Sequence, residues 1–189
     1  MLTVEESHLP LTITVPGITD AQFQELCERY ENYSVEYTAE GDLLVMPPTD
    51  PVTSWRNLRI AAQLMNWTLS LGRGIATDPS GGFHLPNGAR LSPGAAWISH
   101  TRLRQNPNCP EFVIELLSPT DRRNKTHAKM QEWIANGALL GWMIDPKTQT
   151  VTIYRPGCEP ETRTSLTELA GEGPVAGFVL DLTPVWEPV

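Results

Sequence analysis

The sequence predicts an α/β (α+β) fold, a mixed sheet flanked by helices. Three observations carry this expectation. Helix-length and strand-length segments alternate along the 189 residues. Glu111–Leu117 (EFVIELL) is a short, nearly continuous apolar run, as expected of a buried central strand. Turn signals such as Ala39-Glu40-Gly41-Asp42 and Pro86-Asn87-Gly88-Ala89 separate pairs of strand-like runs. The order is helix, hairpin, helix, several strands, helix, hairpin, which calls for helices layered on a sheet. The length suits a single domain over 1–189, with no linker or repeat to divide it.

Residues 1–19 read as extended and Pro-interrupted. Asp20 is placed to cap a helix over Ala21–Glu31, with Phe23, Leu26, Cys27 and Tyr30 on one stripe. Val35–Thr38 and Leu43–Met46 form a predicted hairpin that Pro47, Pro48 and Pro51 end. Val52–Leu71 is the longest helix candidate. Its expected core stripe is Leu58, Ala61, Ala62, Met65 and Leu69, and Gly72 stops it. Short strands follow at Ile75–Thr77, Gly82–Leu85, Arg90–Leu91 and Ala95–Ser99. Ser118-Pro119-Thr120-Asp121 breaks the central strand. A helix then runs over Lys125–Asn136 to Gly137. Leu140–Ile144 and Thr150–Arg155 make a second hairpin around Asp145-Pro146-Lys147-Thr148. Thr164–Leu169 and Phe178–Leu182 are further strand candidates.

Composition excludes several classes. The net charge is −8. That disfavours a general nucleic-acid coat protein, which gains affinity by neutralising phosphates, but leaves room for a local basic patch. Cys27, Cys109 and Cys158 are far apart and form no C-x-x-C, so no disulfide framework or zinc site is expected. No apolar run reaches the roughly 20 residues that span a bilayer. The N-terminus MLTVEESHLP lacks a basic and an apolar signal region, so a cytoplasmic location is expected. His8, His84, His100 and His127 are scattered without ligand spacing.

Glu115 is the most informative residue. Alternation puts Phe112, Ile114 and Leu116 on one face of the strand and Val113, Glu115 and Leu117 on the other. A carboxylate there needs a cation, a donor or a proton. Lys129, one helix downstream at the edge of the Met130/Trp133/Ile134 stripe, is the natural partner, with Lys125 one turn earlier. A structural ion pair and a snorkelling lysine are the plain alternatives. Beside a metal, a lysine in that place polarises water and stabilises charge on phosphate. Arg122-Arg123-Asn124-Lys125 is a basic cluster in an acidic chain. It reads as a phosphate-contacting loop or as a solvated first helical turn, although a helix start disfavours basic charge.

A series of segments resembles a known family. These are Gly82–Trp97 (GFHLPNGARLSPGAAW), Glu111–Pro119 (EFVIELLSP), Lys129-Met130 and Asn136–Pro146 (NGALLGWMIDP). They resemble, in order from about Phe23 to the C-terminus, the Uma-type restriction endonuclease family of the PD-(D/E)XK nuclease superfamily. The resemblance implies a restriction-endonuclease-like fold in which Asp, Glu and Lys gather around Mg²⁺ or Mn²⁺ to hydrolyse phosphodiester bonds of DNA. It carries the Glu to Glu115 and the Lys, displaced onto the next helix, to Lys129. It carries an auxiliary Glu to Glu36, and it leaves the Leu116 backbone carbonyl as a further metal ligand. Arg122, Arg123 and Lys125 of the basic cluster are the candidate nucleic-acid contacts, and the resemblance adds a homodimer by analogy with nucleases that cut both strands.

One departure cuts against the match. The family pattern has Asp after the Pro, whereas here Pro93 is followed by Gly94. Glycine supplies no carboxylate, and hard divalent cations want several oxygen ligands and negative charge. Asp78 or Glu36 would have to compensate. Two functional expectations follow: an endonuclease impaired at Gly94, or an inactive relative that binds nucleic acid or protein. A core ion pair that binds no metal is the third.

Overall fold

The computed structural model describes residues 9–119 and 121–187. The sequence readings of residues 1–8, His8 among them, and of Thr120 lie outside the described residues. Two sheets dominate. The smaller is built from β1 (Leu11–Thr14), β2 (Ser34–Tyr37), β3 (Asp42–Met46), β5 (Phe83–His84) and β6 (Arg90–Leu91), in the order β1-β3-β2-β6-β5. The larger uses β4 (Gly74–Thr77), β7 (Ala95–Ser99), β8 (Phe112–Leu116), β9 (Leu140–Asp145), β10 (Thr150–Tyr154) and β11 (Glu161–Thr164), in the order β11-β10-β9-β8-β7-β4. Its one parallel pair is β8 with β9, so the sheet is mixed as expected. The crossover between them is α4 (Arg123–Ala135).

β8 is buried along its whole length, which explains its near-continuous apolar sequence. Its alternation holds. Phe112, Ile114 and Leu116 pack on one face with Ile60 and Leu64 of α2 (Pro51–Leu71), and with Phe178, Leu180 and Val185 of the C-terminal segment. Val113 and Leu117 pack on the other face with Met130 and Trp133 of α4 and with Leu85, Ala89 and Leu91 from the β5–β6 hairpin. A T-shaped pair of Phe112 and Trp142, with ring centroids 4.8 Å apart, joins β8 to β9 inside the first cluster.

Local chemistry sets the ends of the helices. The Asp50 carboxylate caps α2, accepting from the Val52 and Thr53 amides at 3.0 Å each. Gly72 ends it in the left-handed conformation, at φ 70°. The cap of α1 (Asp20–Arg29) is Thr19, not Asp20, because Thr19 forms a reciprocal box with Gln22. Asp20 instead pairs with Arg90.

Two expectations are corrected. Most of the stripe assigned to the core on α2 faces outward: Leu58 is 66%, Met65 41% and Leu69 72% exposed and Ala62 is exposed too, while Ala61 packs against the core beside buried Ile60 and Leu64. The packed stripe contains Thr53 and Thr68 as well, so a hydrophobic pattern chose the wrong side. The predicted strand over 164–169 is two strands, β11 and β12 (Glu168–Ala170), because Ser165 breaks the run at φ 55°. β12 pairs with β13 (Val179–Asp181). The short helices α3 (His100–Gln105) and α5 (Thr183–Trp186) were not expected.

Candidate functional site

Three separate elements converge near the end of β8. Glu36 comes from β2, Glu115 from β8 and Lys129 from α4. The Lys129 ammonium lies 2.7 Å from a Glu36 oxygen and 2.9 Å from a Glu115 oxygen. It also donates to the Ser92 carbonyl at 2.7 Å, and the Ser92 amide donates to Glu36 at 2.8 Å. Trp133, one turn beyond Lys129, donates its indole N–H to Glu115 Oε1 at 3.1 Å. Each charged group therefore has at least two partners, which is what keeps such burial tolerable. Glu36 is 4% and Glu115 7% exposed.

The electrostatics follow from that enclosure. Burial raises the Glu115 carboxyl above its ordinary value of 4.5; Lys129 and the Trp133 hydrogen bond pull the other way, and Glu36 adds to the rise. For Lys129, burial acts to lower the ammonium's pKa. The attraction of Glu115 and Glu36 outweighs it, so the value rises and the lysine stays charged.

Gly94 lies two residues past Ser92, whose backbone joins this cluster. The next residue, Ala95, pairs across the sheet with Ile114. A Cβ built at position 94 would lie 3.0 Å from the Ile114 carbonyl oxygen, 3.4 Å from the Leu116 amide nitrogen and 3.2 Å from Asn57 Oδ1 of α2. Residue 94 is thus at the level of Glu115, in contact with the backbone on either side of it. Asp78 does not compensate for the missing side chain. It is exposed, and its carboxylate accepts from the Ser80 amide and hydroxyl.

The basic residues are more dispersed. Arg122, Arg123 and Lys125 are exposed at the start of α4, where no side chain caps the helix and no acid occupies the first turn. Arg123 is drawn off to Asp145 at 2.9 Å. Arg122 and Lys125 extend from the same helix that carries Lys129 one turn further on. Two cavities lie elsewhere. One of about 600 Å³ is lined by Arg73, Trp97, His100 and Arg104, and one of about 270 Å³ by Arg123, His127 and Tyr154. Neither includes the Glu36–Lys129–Glu115 cluster, which meets solvent through the 20% exposed Lys129 side chain.

Glu115 and Lys129 meet as their spacing predicts, and two further partners join them. Trp133 was assigned to packing, although its spacing of four from Lys129 puts its indole on the same carboxylate. The Ser92 backbone leaves no sequence signal.

The model of one family, described as "Uma2: putative restriction endonuclease", matches residues 20–183. The chain belongs to the Uma2 family. The match spans every element from α1 to the start of α5, so the whole Uma2 cluster described above falls inside it. A crystal structure of a putative nuclease belonging to DUF820 from Anabaena variabilis ATCC 29413 is similar in fold. Its TM-score is 0.75 at 22% identity, covering 89% of this chain and 97% of that one. No curated protein matches the chain. Among the described residues, no helix of this Uma2 chain is long and apolar enough to cross a membrane.

Proposed function

We propose that this chain is a DNA endonuclease whose catalytic centre is impaired at Gly94. The observation that carries the reading is the convergence of Glu36, Glu115 and Lys129 on one another and on the Ser92 backbone, two residues before Gly94. Families of this fold generally use a divalent metal, Mg²⁺ or Mn²⁺, to activate water and to stabilise charge on phosphate.

The residues present do not fit such an ion as paired carboxylates would. Glu115, with the Leu116 carbonyl, offers a single carboxylate, and its Oε1 already accepts from Lys129 and Trp133. Among the described residues no three His, Cys, Asp or Glu side chains group as a ligand set. Losing a ligand carboxylate costs more than losing an outer hydrogen-bonding partner, which itself weakens binding about 10–100-fold.

The chain's own groups do the following. Lys129 is a permanently charged ammonium clamped between two carboxylates. Held by both carboxylates, Lys129 is not a free cation for phosphate. Arg122 and Lys125 then supply the first contacts to the DNA backbone. A second reading, binding of nucleic acid without cutting, is favoured by the same glycine. A pair of nuclease protomers that cuts both strands fits the first reading.

Nicking of supercoiled plasmid with Mg²⁺ or Mn²⁺ separates the two. The native chain is expected to nick at a trace rate, G94D at least about 100-fold faster, and K129A/G94D not at all. Equal rates for the native chain and G94D would remove Gly94 as the cause of impairment. If neither chain cuts, the endonuclease reading falls and the binding reading remains.

A further inference from the structure

We propose that the larger cavity, at the far end of β8 from Glu115, is a binding site for a mononucleotide, a phosphate ester that carries a planar base. It holds about 600 Å³, within the range of pockets that enclose a small ligand. It lies between α3, the entry to β8 and the turn at Gly173-Pro174. Glu111 in its wall and Glu115 in the carboxylate cluster are four residues apart along one extended segment, about 13 Å. The cavity is therefore separate from the cluster. An inactive chain would bind the nucleotide just as well, so the inference does not rest on the endonuclease reading.

The walls are fixed by the fold. The His100 amide donates to the Arg73 carbonyl at 3.3 Å, which ties α3 to the entry of β4. The Leu139 amide donates to the Glu111 carbonyl at 2.9 Å, which ties the entry of β9 to that of β8. The Trp97 ring lies against the Gly74 backbone. A Cβ at position 74 would come within 2.6 Å of its Nε1 and of two ring carbons. Glycine there lets the indole form the wall next to Arg73.

Charge points to an anion. The chain has 22 Asp and Glu against 14 Lys and Arg. Arg73 and Arg104 nonetheless make no ion pair and no side-chain hydrogen bond among the described residues. The carboxylate in the wall is already answered. Glu111 accepts from the Ser99 hydroxyl at 2.5 Å and from its amide at 2.9 Å, and the Arg102 guanidinium is 3.6 Å away. Two guanidiniums without a counter-charge thus line one concave space. A guanidinium is a planar fork of donors that matches the oxygens of a phosphate.

A second observation, independent of charge, points to the base. Trp97 is 3% exposed, and its indole N–H has no acceptor among the described residues. Buried donors are nearly always paired, so a lone one in a cavity wall calls for an acceptor from outside the chain. Leu139, 45% exposed, and Pro174 supply apolar lining. Inorganic phosphate would leave that surface and most of the volume unfilled. A purine covers the surface, and its ring nitrogens offer the indole an acceptor.

The test is isothermal titration of the full chain with adenosine monophosphate, adenosine and inorganic phosphate, using the native chain, R73Q/R104Q and W97F. Both arginines are exposed, so the fold tolerates their replacement, as far-UV circular dichroism checks. The monophosphate is expected to bind with a Kd on the order of 100 μM or tighter. Adenosine and inorganic phosphate should each bind at least about 10-fold more weakly, and R73Q/R104Q should weaken the monophosphate at least about 100-fold. W97F keeps the ring and loses the N–H, so it should weaken the monophosphate about 5–10-fold. No saturable heat from the native chain at about 5 mM monophosphate overturns the inference. So does binding that R73Q/R104Q or W97F leaves unchanged. Inorganic phosphate as tight as the monophosphate would reduce the cavity to a bare anion site, and a DNA strand with a terminal phosphate that binds tighter still would assign it to strand ends. Either result overturns the mononucleotide assignment. Plasmid nicking is scored separately, so failure here and failure of the endonuclease reading are told apart.

Discussion

Removing Lys129 should damage the fold far more than neutralising Glu115. K129M keeps the stem volume but takes away the cation that lies 2.7 Å from Glu36 and 2.9 Å from Glu115. Two carboxylates, each less than a tenth exposed, are left facing one another, with the Ser92 amide and the Trp133 indole as remaining donors. Deleting one partner of a buried pair costs about 3–5 kcal/mol because the remaining charge is stranded. The chain can soften this by protonating Glu115, whose carboxyl is already raised by burial, so the loss should shrink at pH 5. E115Q is the contrast. Its amide oxygen still accepts from Trp133, and Lys129 keeps Glu36 and the Ser92 carbonyl. The expected cost is about 1–2 kcal/mol, the range for one altered hydrogen bond. Urea unfolding at pH 7.5 and pH 5 measures both, read from midpoints at constant m-value. K129M within about 1 kcal/mol of the native chain would mean that water screens the cluster. E115Q as harmful as K129M would mean that Lys129 depends on Glu115 alone. Either result refutes the reasoning.

Three more outcomes follow from the same geometry. The folded chain holds the Glu115 proton more tightly than the unfolded chain does, so this group's contribution is fully present below pH 4.5 and is lost as pH rises above it. The stability difference between the native chain and E115Q should therefore fall as pH rises from 4.5, and a rising difference in urea titrations would contradict the raised carboxyl. Cys109, buried with its thiol pushed up to about 11, should resist iodoacetamide at pH 8 while exposed Cys158 reacts; labelling of Cys109 in the native state, read by mass spectrometry, would count against that burial. R122E/K125E should weaken binding to duplex DNA and lower the slope of log K against log salt by about two, and an unchanged slope would place the DNA elsewhere.

Much of the site was legible because β8 obeys a two-residue period. Glu115 interrupts an apolar face, and Lys129 is a charged residue beside a core stripe, so the pair could be inferred without a fold. Glu36 had no such signal. It lies on a different sheet, and the resemblance to a family supplied it. The α2 error has a physical source. The helix carries two apolar stripes, and the one through Leu58 and Leu69 is the one that the protomer leaves outside. Periodicity reports that a face is apolar, not what covers it. The break at Ser165 and the six-residue α3 were hidden for another reason: neither is driven by apolar spacing.

The central claim is that Gly94 deprives the Glu36–Lys129–Glu115 cluster of the carboxylate a metal needs. Isothermal titration with Mn²⁺ and then Mg²⁺ tests it most directly, using the native chain, G94D and E115A/G94D. A Cβ at 94 is tight against the Ile114 carbonyl oxygen at 3.0 Å, so G94D should lose about 1–3 kcal/mol of stability yet remain folded. The account predicts no saturable heat from the native chain at millimolar metal, binding by G94D, and loss of that binding in E115A/G94D. Stoichiometric binding to the native chain that E115A abolishes would contradict it, because a working metal site would then exist without a carboxylate at position 94.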